Sequence, residues 1–120
     1  MTNSQNTIRP QFYEFYNAEG YSKDPKRIFV DVADRIEVSG LTSARKFLDV
    51  GCANGALTGF LKSRFPENEF AAVDIFDEML DEGRKAFPWA TFENASILDM
   101  PETYMGAFDI VTCIGLLMAF

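Results

Sequence analysis

Two carboxylates flank the part of this sequence best suited to chemistry. Asp49 lies in a short apolar run, Phe47-Leu48-Asp49-Val50, and precedes the glycine-bearing turn Gly51-Cys52-Ala53-Asn54-Gly55 by two residues. Asp74 ends a second apolar run, Phe70-Ala71-Ala72-Val73-Asp74, 19 residues after Gly55. Gly51 and Gly55 let a backbone approach a ligand where a Cβ would collide. A carboxylate at the end of the second strand can accept both hydroxyls of a ribose, as in nucleotide-binding α/β folds. Taken singly, each feature also has a plainer reading: a tight turn needing positive φ, and a helix cap or solvated strand end. Together they point to a ribose-bearing ligand.

The charge pattern narrows the ligand further. A dinucleotide site asks for G-x-G-x-x-G, whereas this window reads Gly51-x-Ala53-x-x-Ala56, with two of the three glycines replaced. Asp49 also stands close to where a pyrophosphate would rest. A carboxylate there opposes an anion and suits an amino group or a sulfonium. A cationic cofactor is therefore favoured over NAD or FAD, and an NAD-dependent oxidoreductase is the weaker alternative.

These residues need a scaffold, and the hydrophobic pattern supplies one. Asp24-Pro25 reads as an N-cap followed by proline at the first helical position. Ile28, Val32 and Ile36 then recur at helical spacing until Gly40. The run around Asp49 is a strand, and Leu57, Phe60, Leu61 and Phe65 return to helical spacing before Pro66. Residues 70–74 form a second strand. Asp77 is placed to cap a helix carrying Met79, Leu80, Gly83, Ala86 and Phe87, stopped at Pro88. Residues 91–94 make a short third strand and residues 108–113 a fourth. Strands alternating with helices predict an α/β, Rossmann-like parallel sheet flanked by helices, cut short after the fourth strand. The division expected is an N-terminal arm and helical segment over 1–40 and a cofactor-binding core over 41–120. A sheet ending there has an open edge, to be covered by further chain, a partner or a second copy.

Composition removes several classes. The chain has 120 residues, 48% of them hydrophobic, with 12 Phe, enough for a core. Its net charge of -7 argues against nucleic acid and toward a small-molecule partner. No run is long and apolar enough to span a membrane, and residues 1–11 lack the apolar stretch of a signal peptide. With no His and two Cys, Cys52 and Cys113, the sequence has no metal-site spacing and no disulfide framework. Reduced thiols and a cytoplasmic location are expected.

Phe47 to Gly55 resembles the first signature motif of class I S-adenosylmethionine-dependent methyltransferases, a hydrophobic pair followed by D-x-G-x-G-x-G. The similarity continues through Ala72-Val73-Asp74-Ile75-Phe76-Asp77-Glu78-Met79-Leu80. It resumes at Asn94-Ala95-Ser96-Ile97-Leu98-Asp99-Met100-Pro101 and at Phe108-Asp109-Ile110-Val111-Thr112-Cys113. The resemblance implies a methyltransferase using S-adenosylmethionine and releasing S-adenosylhomocysteine. It implies that Asp49 and the backbone of Gly51, Cys52, Ala53 and Gly55 hold the methionine part. Asp74 would take the ribose hydroxyls, Ile75 or Phe76 would cover one adenine face, and Met79 would lie nearby. Ser96 stands where the family often has an acidic residue at the adenine amino group, and Ile97 where a backbone N–H meets the ring. Asp99 would serve the adenine or cap the next helix. Cys113, Ile114 and Gly115 would line the methionine end. Two departures stand out: Ala53 replaces the middle glycine, and Met118-Ala119 replaces a His pair common in relatives. No catalytic residue is assigned, and a non-catalytic binding domain with the same fold is the rival reading. Tyr13, Tyr16 and Tyr21 lie in a segment that in this family often folds over the cofactor.

Overall fold

The structure, a computed structural model, describes residues 27–41 and 45–114. The expectations for Asp24-Pro25, for the tyrosines of residues 10–21, for Gly115 and for Met118-Ala119 lie outside the described residues. Within them the chain runs α1 (Arg27–Ser39), β1 (Lys46–Val50), α2 (Ala56–Arg64), β2 (Glu69–Asp74), α3 (Asp77–Ala86), β3 (Thr91–Asn94), a 3-10 turn (Glu102–Tyr104) and β4 (Ile110–Thr112).

The strands form one parallel sheet in the order β3-β2-β1-β4. Central strands of such a sheet are covered on both faces and so must be apolar along their length. That is what β1 and β2 show: every residue after the first of each strand is buried. β4 is shorter than the apolar run 108–113 suggested, because its pairing with β1 covers Ile110 to Thr112. Val111 of that edge strand is exposed.

The main core lies on one side of the sheet. Phe29, Ala33 and Ile36 of α1 join Leu57 and Leu61 of α2 and Phe47 and Phe70 of the sheet. Phe47 and Phe70 pair with ring centroids 4.7 Å apart, and Phe65 stacks on Phe47 from the end of α2. The helix stops follow local rules. Gly40 takes φ +82 after α1, and its N–H donates to the Glu37 carbonyl. α2 and α3 end one residue before Phe65 and Phe87, whose N–H groups close the last turns on Leu61 and Gly83. Asp77 does not cap α3 as expected. It is the first helical residue, Phe76 occupies the cap in extended conformation, and the Asp77 carboxylate accepts from Asn94 Nδ2 at 2.7 Å.

Candidate functional site

The carboxyl ends of β1 and β2 meet at one turn. The N–H groups of Gly51 and Cys52 both donate to the Val73 carbonyl, at 2.9 and 3.0 Å, so the chain leaving β1 is fastened to β2. Gly51 and Gly55 take φ of +77 and +86, and Ala53 between them takes +53. Three left-handed residues in five fold the turn tightly enough for the Gly55 N–H to reach the Cys52 carbonyl.

Asp74 locks this arrangement. Its Oδ2 accepts from the Ala53 N–H at 2.7 Å, and its Oδ1 accepts from the N–H groups of Ile75 and Phe76 at 2.7 and 3.0 Å. One carboxylate thus clamps the β1–α2 turn to the β2–α3 turn. From β3, Asn94 stands in register with Asp74 and bonds to Asp77 and to the Ile75 carbonyl. The turn that carries Ile75 and Phe76 is held from both sides.

Asp49 lies on β1 between Ala72 of β2 and Thr112 of β4. It is buried, and its Oδ1 accepts from the Thr112 hydroxyl at 2.8 Å. Burial pushes its carboxyl up to about 7, against the lowering effect of the Thr112 bond, and the Asp74 charge pushes the same way. The folded protein therefore holds a proton on Asp49 that an unfolded chain loses near its ordinary value of 3.8. The folded form binds more protons between these limits, so this group makes stability fall as pH rises from about 4 to about 7. Asp49→Asn, neutral throughout, is expected to remove this component and to stabilise the fold at pH 8 by about 2–4 kcal/mol. Denaturant unfolding at pH 5 and pH 8 checks it, and equal pH slopes in both proteins would rule the effect out.

The other candidate residues divide between the site and its support. Cys52 is buried in the turn, where burial first and then the Asp49 and Asp74 charges push its thiol up. Cys113, just beyond β4, is pushed the same way by burial and Asp49. Both are free thiols, and with raised values neither is an activated nucleophile. Ile75, Phe76 and Ile114 are half-buried, with accessible surface at the strand ends. Met79 is different. It is 2% exposed in the core cluster with Phe29 and Leu57, so it supports the site from behind and offers no face to a ligand.

Ser96, Ile97 and Asp99 form a turn after β3. The Asp99 N–H donates to the Ser96 carbonyl, and Ser96 Oγ accepts from the Leu98 N–H at 3.1 Å. Ile97 is about half exposed. Asp99 does not cap the 3-10 turn, whose cap position is Pro101. Among the described residues no group of three or more His, Cys, Asp or Glu could hold a metal, and no helix is long and apolar enough to cross a membrane.

The glycines need one correction. A Cβ on Gly55 would lie 2.8 Å from the Phe92 ring and 3.2 Å from Phe87. Protein, not ligand, fills the space beside Gly55, so its close approach is to the aromatic layer under the turn. Ala53 shows the opposite balance. Its left-handed backbone costs about 1 kcal/mol, but its buried methyl packs in the core cluster and contributes about 0.8 kcal/mol. Glycine there would also loosen the unfolded chain by about 0.4–1 kcal/mol. Ala53→Gly is therefore expected to change unfolding free energy by less than about 1 kcal/mol. A loss above about 2 kcal/mol in a denaturant titration would show that the methyl outweighs the strain.

Thr112 and Asn94 were not singled out from the sequence. The available signal was a hydroxyl in the otherwise apolar strand Ile110-Val111-Thr112, but the strand order is needed to place it opposite Asp49.

A parallel sheet in the order β3-β2-β1-β4, with a glycine turn and acidic residues at its carboxyl edge, defines a Rossmann-like, nucleotide-binding class of α/β fold. A family model described as a methyltransferase domain matches residues 47–120, and the chain belongs to that family. The chain is 37% identical over 59 residues to trans-aconitate 2-methyltransferase of Acidovorax sp. (strain JS42), covering 49% of this chain and 23% of that one. It is 31% identical over 96 residues to malonyl-[acyl-carrier protein] O-methyltransferase of Acetivibrio thermocellus, covering 79% and 33%. An amino pentose methyltransferase from Micromonospora echinaspora, solved with S-adenosylmethionine bound, superposes with a TM-score of 0.67 at 28% identity. That match covers 86% of this chain and 41% of the other. The chain thus spans about a quarter to a third of the length of these curated relatives.

Proposed function

We propose that this chain is the cofactor-binding part of an S-adenosylmethionine-dependent methyltransferase that methylates a small molecule. The observation that carries the reading is the Asp74 clamp, with the Ala53 amide on one oxygen and the Ile75 and Phe76 amides on the other, next to Asp49. Such a clamp sets the two strand-end turns at a fixed spacing before any ligand arrives. Asp74 is our candidate for the ribose hydroxyls, and Ile75 and Phe76 for one adenine face. Ser96, Ile97 and Asp99 are candidates for the adenine edge. Asp49, with the backbone of Gly51, Cys52 and Ala53 and the stretch Cys113-Ile114, is assigned to the cationic methionine end. Gly55 and Met79 serve as support.

The cofactor, when bound, supplies a methyl group already activated by its sulfonium. The protein's part is to hold that methyl in line with the acceptor, which can lower a barrier by about 7–11 kcal/mol in favourable cases. Asp49, once ionised, suits a cationic group, and the clamped turns orient the ribose. A histidine base is absent from the sequence, and methyl transfer to an acceptor that is already nucleophilic does not require one. The solved relative acts on an amino pentose and the curated relatives on trans-aconitate and on malonyl-[acyl-carrier protein], by their names. With the net charge of -7, these favour a small acceptor over a nucleic acid. Residues 41–120 form the cofactor core in this reading, and the two thiols fit a reducing cytoplasm.

Calorimetric titration with S-adenosylmethionine and, separately, NADH tests the reading. Binding of S-adenosylmethionine and not NADH is expected, and binding of NADH alone would overturn it. Turnover assays with small carboxylic acids and amino sugars then distinguish an enzyme from a non-catalytic binding domain.

A further inference from the structure

Asp49 and Thr112 face each other across the β1–β4 ladder, both buried, joined by a 2.8 Å hydrogen bond from the hydroxyl to Oδ1. The same hydroxyl lies 3.5 Å from the Leu48 carbonyl, a much weaker contact, so its O–H points to Asp49. Among the described residues Oδ2 has no hydrogen-bond partner. Among the described residues, these ionisable groups act on this carboxyl or its surroundings. Asp74 approaches from β2, Cys52 from the turn and Cys113 from the end of β4. Arg84 of α3 acts on Cys52 and is bonded to Asp81 and the Phe92 carbonyl. Among the described residues none of the groups that act directly on this carboxyl is a cation.

We propose that Thr112 is a positioning residue for cofactor capture: it pins Oδ1 of Asp49, leaves Oδ2 for a cationic group, and couples binding to the release of one proton. The balance is simple. The carboxyl O–H bond breaks, the proton passes to solvent, and the carboxylate pairs with the incoming cation with no electron transferred. Thr112 serves this exchange because its donated hydrogen bond favours the ionised carboxyl, against burial and Asp74, which favour the protonated one. Affinity then rises with pH toward about 7 and levels off above it. The inference rests on the cofactor reading for its ligand but not for its effect on Asp49.

Two measurements test it on the full chain. The first follows the Asp49 carboxyl carbon by NMR against pH without ligand, assigned by its loss in Asp49→Asn. Wild type is expected to titrate near 7 and Thr112→Ser close to it. Thr112→Val and Thr112→Ala, which lack the hydroxyl, are expected to titrate about one pH unit higher, the scale of one charge-assisted hydrogen bond. The second is calorimetry with S-adenosylmethionine at pH 6.5 in buffers of different ionisation enthalpy. It should show proton release in wild type and roughly tenfold weaker binding in Thr112→Val. A purely structural threonine would lower the melting temperature and leave the Asp49 midpoint in place, and that result would overturn the proposal. Binding without proton release would overturn it too. Failure of wild type to bind at pH 8, with the Asp49 titration still moved by Thr112→Val, would instead sink the cofactor reading.

Discussion

Replacing Asp74 with alanine is expected to destabilise the fold by about 3–5 kcal/mol and to abolish cofactor binding. The wild-type carboxylate accepts three backbone N–H bonds, two to its own turn and one to Ala53. Hydrogen bonds to a charged group are worth about 1.5–3 kcal/mol each, and a buried donor left unpaired costs a further 1–3 kcal/mol. The effects do not sum fully, because removing a buried carboxylate also removes its desolvation penalty. The Ala53 amide decides the sign: it is held in a buried left-handed turn and has nowhere else to donate without unfolding that turn. Against a typical domain stability of 5–15 kcal/mol, the loss is large. Asp74→Asn should fall between, since an amide keeps an acceptor on one side and turns a donor toward the amides on the other. Urea titrations of the three proteins check the order, and a loss below about 1 kcal/mol in the alanine variant would show that the clamp does not hold the turns.

Gly55→Ala carries the second large effect, and two causes act together in it. Alanine at φ +86 adds about 1–2 kcal/mol of backbone strain. Its methyl would also lie 2.8 Å from a buried Phe92 ring that packs with Leu80 and Ala72. Overpacking of that kind costs about 1–3 kcal/mol. The sum, about 2–5 kcal/mol, can be separated by a second change. Gly55→Ala with Phe92→Leu relieves the clash and leaves the strain, so part of the loss should return relative to Phe92→Leu alone. Gly83 is the control. A Cβ there meets the same ring at 2.6 Å, but the residue is helical, where alanine is favoured over glycine by about 1 kcal/mol. Gly83→Ala should therefore lose less than Gly55→Ala. Equal losses in a common unfolding assay would mean that the left-handed backbone contributes nothing.

The turn around Gly51 and Gly55 could be read directly, because positive φ and the change from strand to helical periodicity are local properties. The reason for Gly55 could not. Its neighbour Phe92 is 37 residues away in the chain, and the contact exists only because β3 lies beside β2 and α3 crosses between them. Met79 illustrates the same limit. The family resemblance implied a place near the adenine, but packing in the cluster with Phe29 of α1 and Leu57 of α2 turns that face of α3 inward. Asp77 failed as a cap for a related reason, since Asn94 of β3 draws its carboxylate sideways.

The sequence alone determined the alternation of apolar strands with helices, the glycine turn and the two strand-end carboxylates. Those features follow from local backbone freedom and from a burial pattern that any covered parallel sheet must show. Only the tertiary structure decided that Asp74 is shared between two turns and that Thr112 meets Asp49. It also decided that the space beside Gly55 belongs to an aromatic ring. Each of these is a contact between strands whose order no local pattern encodes, and each takes its energy from burial that appears only once the sheet is assembled.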